Sequence, residues 1–154
     1  MAFYSRKPPR IPEYDYSKAG YYFITICTHE KKCIFGTTED LNEWGKIAER
    51  DLKEIPLHFP NIRMDAYIIM PNHIHAIVIM EQDDSTSLNQ MVGLYKSGVS
   101  RKIHKMKPEA IIWQRSYYDH VIRNQVEYEK IWEYVTYNRQ KWETDCYYSQ
   151  VIDK

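Results

Sequence analysis

Residues that break or staple a chain are scarce in this sequence: five glycines, seven prolines and three cysteines among 154 residues. So few breakers, with 44% hydrophobic and 27% charged residues, exclude a disordered or low-complexity chain and point to a globular one. Cys27, Cys33 and Cys146 are odd in number and lack zinc spacing, which excludes a disulfide scaffold and favours a reduced, bacterial-type cytoplasmic protein. No apolar run has the length of a membrane span, and the stretch Met1-Ala2-Phe3-Tyr4-Ser5-Arg6-Lys7 has no signal-peptide core, so no membrane association is expected. Internal repeats are absent too, and the length suits one domain, expected over residues 1–154. Net charge is zero, 21 basic against 21 acidic residues, which argues against a protein that coats nucleic acid without discrimination.

The charge is unevenly spread. Between Ser85 and Pro108 stand Lys96, Arg101, Lys102, Lys105 and Lys107 with no acid, and Arg6, Lys7 and Arg10 form a second acid-free cluster. Either cluster can serve phosphate contacts or be a solvated face. Fourteen tyrosines are the other excess; tyrosine joins an apolar body to a polar tip and serves binding surfaces, base stacking and half-buried positions alike.

Along the chain, Pro8, Pro9 and Pro12 predict an extended basic arm over residues 1–12. Residues 21–28, aromatic and β-branched, predict a strand, and the apolar spacing from Leu41 to Phe59 predicts a helix. Ile62 to Met70 and His73 to Met80 predict two strands, with Pro71-Asn72 either a bend in one bulged strand or the turn of a tight hairpin. A helix is expected from Leu88 to Lys105, a strand from Ile111 to Ile122, and a last helix from a cap at Asn124 to about Trp142, with Glu127 in capping-box position. This order is that of an α+β fold, the ferredoxin-like split βαβ sandwich: an antiparallel sheet with helices on one face and the other face available for a site.

The chemistry-bearing residues fall at two places. His73 and His75 lie two apart on a predicted strand, so both imidazoles project to one face; they are either metal ligands or hydrogen-bonded strand histidines. Tyr134 and Asn138 lie four apart on the last helix, hence on one side of it. If that helix crosses the open sheet face, Asn138 supplies a third ligand oxygen and Tyr134 a phenol; otherwise both belong to an ordinary buried stripe. His120 is read as a strand histidine bonded to its neighbours, and Trp113 as core.

Met70-Pro71-Asn72-His73-Ile74-His75 resembles the His-hydrophobic-His (HUH) motif of the single-strand DNA transposases. More narrowly, the chain resembles the REP-associated tyrosine transposases. The matching stretches are Pro9-Arg10 with Tyr14-Asp15-Tyr16, residues 22–28, Lys96-Ser97, residues 113–124, and Tyr134 through Trp142. The resemblance implies His73, His75 and Asn138 as metal ligands and, as nucleophile, Tyr134 on a helix added to the ferredoxin-like plan. It implies magnesium or manganese as cofactor, the mixed nitrogen and oxygen donors suiting manganese better. The implied reaction is cutting and rejoining of single-stranded DNA at hairpins through a 5′-phosphotyrosine, in a cytoplasmic, nucleoid-associated protein. Arg6, Lys7, Arg10, Lys96, Ser97, Arg101 and Lys102 are then the expected DNA contacts, with Trp113, Tyr117 and Tyr118 as candidate stacking groups. The family includes both monomers that use their own tyrosine and dimers that exchange helices, and both remain open. One departure stands out: Arg139 follows Asn138 where the family has proline. It leaves open a domesticated hairpin-binding protein that no longer cuts, and a plain ferredoxin-like RNA-binding domain is a third reading.

Overall fold

The computed structural model describes residues 20–81 and 88–137. Four strands, β1 (Gly20–Cys27), β2 (Ile62–Met70), β3 (His73–Met80) and β4 (Tyr118–Ile122), form one sheet in the order β2-β3-β1-β4. Every neighbouring pair is antiparallel, as the split βαβ plan requires. Two helices, α1 (Glu43–Lys53) and α3 (Leu88–His104), with the single turn α2 (Ile55–His58), join the strands, and α4 (Gln125–Thr136) follows β4.

Period-two alternation divides the sheet into two faces. Tyr22, Ile24, Ile26, Ile74, Ala76 and Val78 point to one side, where α1 and α3 cover them with Ala48, Leu52, Met91, Tyr95 and Val99. This is the larger core, and each buried aliphatic side chain there contributes about 1.5–3 kcal/mol. Tyr95 is tied in by its phenol, which donates to the Ala48 carbonyl at 2.8 Å. Burial, with Asp51 nearby, holds that phenol well above its ordinary pKa. The opposite face carries Phe23, Ile68, Met70 and Ile77 under Ile131 and Val135 of α4. The last helix therefore does cross the second sheet face.

Boundaries differ from the expectation mainly at three elements, one of them the last helix, which ends at Thr136 and not near Trp142. The helix expected over 41–59 begins at Glu43, because the Asn42 side chain accepts the Gly45 amide and caps it. It breaks after Lys53, where Pro56 opens the separate turn α2, since proline suits a helix start and not an interior. The strand expected over 111–122 exists only as Tyr118–Ile122. Upstream of it, Trp113 makes an isolated bridge with Thr28 and Ser116 has φ +64°, a left-handed conformation that ends regular pairing. Pro71-Asn72 is the two-residue turn of a hairpin. A bulge lies instead within β2, between Met64 and Ala66.

Candidate active site

The hairpin turn delivers the two histidines to the face covered by α4. Cys27 pairs with His73 and Thr25 with His75 across β1 and β3, and both imidazoles are completely buried. Their rings lie 4.6 Å apart between centroids, and Phe23 stacks on His75 at 5.3 Å.

A hydrogen bond sets the tautomer of His73. The Asn72 amide donates through Nδ2 to the Lys31 carbonyl at 3.2 Å, which fixes its orientation. Its Oδ1, 2.7 Å from His73 Nδ1, therefore accepts that ring's proton. In this tautomer His73 Nε2 carries the ring's lone pair, the form that ligates metal. His75 Nδ1 lies 2.9 Å from Thr25 Oγ1. The Tyr134 hydroxyl of the same chain stands 3.4 Å from His75 Nε2, so a hydroxyl flanks each nitrogen of that ring. The Tyr134 ring packs 5.2 Å from His75 and edge-on to Phe23 at 6.2 Å.

Two buried imidazoles on one face beside a phenol are donors of the kind that suit a divalent ion. Among the described residues, no group of three His, Cys, Asp or Glu side chains could hold one, so any third ligand is of another kind or lies elsewhere. Asn138, the expected third ligand, lies outside the described residues, as do Arg6, Lys7 and Arg10. Tyr137, next along the chain from α4, is 44% exposed; Tyr134 and not Tyr137 faces the histidines.

The basic residues of α3 are not brought to this site, since that helix covers the other sheet face. Lys96 turns its ammonium onto the carbonyls of Gln114 and Ser116, at 2.9 and 2.8 Å. Lys102 pairs with Asp51 at 2.7 Å. Ser97 and Arg101 are exposed and line a surface groove with Ser100, His104 and Trp113. The Trp113 indole donates to the Lys96 carbonyl at 3.0 Å and packs on Phe35 and Tyr95, as expected of a core residue. Tyr117, offered for stacking, is 4% exposed and buried in the larger core. His120 is a strand histidine, 2.7 Å from Glu127.

The sequence model of the family described as Transposase IS200 like matches residues 16–138. The chain belongs to this IS200-like transposase family. A Haemophilus influenzae protein of uncharacterised function is 34% identical to the IS200-like chain, over 93% of each sequence. Another from the same organism, provisionally named a REP-associated tyrosine transposase, is 26% identical over 80% of this chain and 72% of its own length. Among solved structures, a REP-associated tyrosine transposase bound to a REP hairpin superposes with TM-score 0.68 at 20% identity, over 86% of this chain and 73% of that one. A Deinococcus radiodurans protein provisionally described as a transposase superposes with TM-score 0.55 at 16% identity, over 84% and 95%. These likenesses establish the fold as that of the IS200-like transposases. Among the described residues, no helix is long and apolar enough to cross a membrane.

Thr25 and Asn72 escaped the reading of the sequence. Asn72 had a local signal, being the turn residue next to the first histidine. Thr25 had none, because its role depends on cross-strand register.

Proposed function

We propose that the chain is a metal-dependent nickase and strand-transfer enzyme acting on single-stranded DNA with hairpins, with Tyr134 as nucleophile and His73, His75 and Asn138 as metal ligands. One observation carries the reading: the Tyr134 hydroxyl stands 3.4 Å from His75 Nε2. A magnesium or manganese ion held there would neutralise the phosphodiester charge that repels nucleophiles. The Tyr134 phenol is already aimed at the same nitrogen, and the packing of Phe23 against both rings keeps it beside that position, which is what in-line attack requires. Its oxygen forms a bond to phosphorus as the bond from phosphorus to the 3′ oxygen breaks. The phenolic proton passes, in net terms, to the departing 3′ oxygen. The products are a 5′-phosphotyrosyl strand and a free 3′-hydroxyl, and since an aryl oxide is a tolerable leaving group the reverse attack rejoins strands without external energy. The approach of Tyr134 to His75 within one chain supports a site completed by a single copy. The bound hairpin of the superposed transposase supports the substrate class, and exposed Ser97 and Arg101 together with Arg6, Lys7 and Arg10 are proposed as contacts to the DNA backbone.

The test is to incubate the protein with a hairpin-containing single strand and manganese and resolve the products under denaturing conditions. A protein–DNA adduct that disappears in Tyr134→Phe supports the enzyme. Tight binding with no adduct in the parent protein would overturn it in favour of a hairpin-binding protein without cleavage.

A further inference from the structure

Tyr134 lies in the last turn of α4, so where its phenol sits depends on how the helix starts. Ile131 and Val135 pack its inner stripe against the sheet. Apolar contact is non-directional, and two such residues leave the helix able to roll and tilt. At the first turn, however, two polar pairs reach out to opposite edges of the sheet.

On one side, His120 of β4 and Glu127 meet at 2.7 Å with side chains 16% and 22% exposed. The other carboxylate oxygen of Glu127 accepts the Arg123 amide at 2.8 Å. Burial works to raise this carboxyl, but the Arg123 amide and His120 outweigh it and hold it below its ordinary range. On the other side, the Tyr128 phenol donates a short hydrogen bond to Asp65 of β2, and its ring meets Tyr21 edge-on at 5.6 Å. That hydrogen bond first, and burial second, push the phenol up to about 12, so it remains a donor.

Asp65 is available because of the bulge. Ile62 and Met64 side with the α1–α3 core, whereas Ala66, Ile68 and Met70 side with α4. The register shift between Met64 and Ala66 switches the alternation, so Asp65 and Ala66 both come to the α4 side. Bulges re-aim side chains in this way. On the helix, Glu127 and Tyr134 are seven apart and nearly eclipsed, while Tyr128 lies about 100° round. The two pairs thus flank the inward stripe.

We infer that His120–Glu127 and Asp65–Tyr128 are positioning pairs that fix the roll and tilt of α4 and so hold the Tyr134 hydroxyl against His75; the inference rests on Tyr134 being the nucleophile. The lever is long. Six residues separate Tyr128 from Tyr134, a rise of about 9 Å, so a tilt of about 10° displaces the phenol by about 1.5 Å, and a 1 Å misplacement can cost about 100-fold in rate.

The test compares Tyr128→Phe, His120→Ala, Asp65→Ala and Asp65→Asn with the full-length parent, using a hairpin-containing oligonucleotide and manganese. The single-turnover rate of adduct formation at saturating DNA is expected to fall tenfold or more in the first three variants, with the Kd for DNA within twofold. Asp65→Asn, which keeps an acceptor oxygen for Tyr128, is expected to recover most of the rate. Val99→Ala, in the core beneath α3, provides a variant of lowered stability that keeps the parent rate. A second readout needs no catalysis: the ¹⁵N resonance of His75 Nε2 shifts in Tyr134→Phe, and in Tyr128→Phe and His120→Ala it should move toward that value. An unmoved resonance with an unchanged rate overturns the inference. A parent protein that forms no adduct removes the nucleophile, and the His75 resonance then decides alone whether the pairs position Tyr134.

Discussion

A histidine on a strand becomes a ligand through what its other ring nitrogen does. At His73 the decision rests on Asn72, whose amide is oriented by the Lys31 carbonyl and so accepts from Nδ1. At His75 it rests on two hydroxyls, Thr25 at Nδ1 and the Tyr134 phenol at Nε2, each able to donate or accept. Thr25→Val keeps the shape of the side chain and removes the hydroxyl at Nδ1. Since Thr25 and His75 are both buried, losing the bond should lower stability by about 1–3 kcal/mol, read from urea unfolding. Manganese affinity should fall about 10- to 100-fold without being abolished, as for other groups that orient a ligand, whereas His75→Ala should abolish it. Titration by electron paramagnetic resonance of free manganese distinguishes the two, and an unchanged affinity in Thr25→Val would show that threonine does not orient the ring.

The helix α4 is held by polar contacts as well as by its apolar stripe, and this gives it a pH signature. The Glu127 carboxyl is held below its ordinary range, so its contribution to stability is fully present above the unfolded value and is lost as pH falls through the folded one. Glu127→Gln should therefore be less stable than the parent at pH 7, and the gap should close as pH falls through the lowered folded value; a gap that stays the same from neutral into acid pH in urea unfolding would contradict this. The sequence carried part of α4 openly: Asn124 accepts the Glu127 amide at 2.9 Å, as its capping pattern predicts. It did not carry the rest, since Glu127 reaches the Arg123 amide just before the cap, and His120, through the packing of strand against helix. The same contrast runs through the molecule. The ends of β2 and β3 were legible because turn residues punctuate a period-two pattern. The loop over 111–117 read as strand because it is apolar and aromatic, yet Ile112 and Tyr117 are apolar to fill the core, and the Lys96 ammonium binding two of its carbonyls is a non-local cause. His73, His75 and Tyr134 were legible as a set; Asp65 was not, because the bulge that turns it toward α4 leaves no mark in composition.

The molecule as a whole is a sheet with unequal layers. One face bears a core built from two long helices and the aliphatic residues of β1, β2 and β3, while the other bears a small cluster in which α4 contributes Ile131 and Val135 as its buried side chains. The larger core is complete without α4, so the layer that carries Tyr134 can open at less cost than global unfolding. Hydrogen exchange should reveal two classes of amide: those of β1 and β3 exchanging only through global unfolding, and those of Tyr128 to Val135 exchanging at least tenfold faster. Ile131→Ala, which removes a side chain of no exposure, should cost about 2–5 kcal/mol in the contacts of α4. It should speed exchange in α4 while leaving β1 and β3 amides close to their parent rates. Slowing or speeding of all amides together would mean that the two layers unfold as one unit, and the tyrosine would then be held by the stability of the whole fold instead of by its own small cluster and the polar pairs at its base.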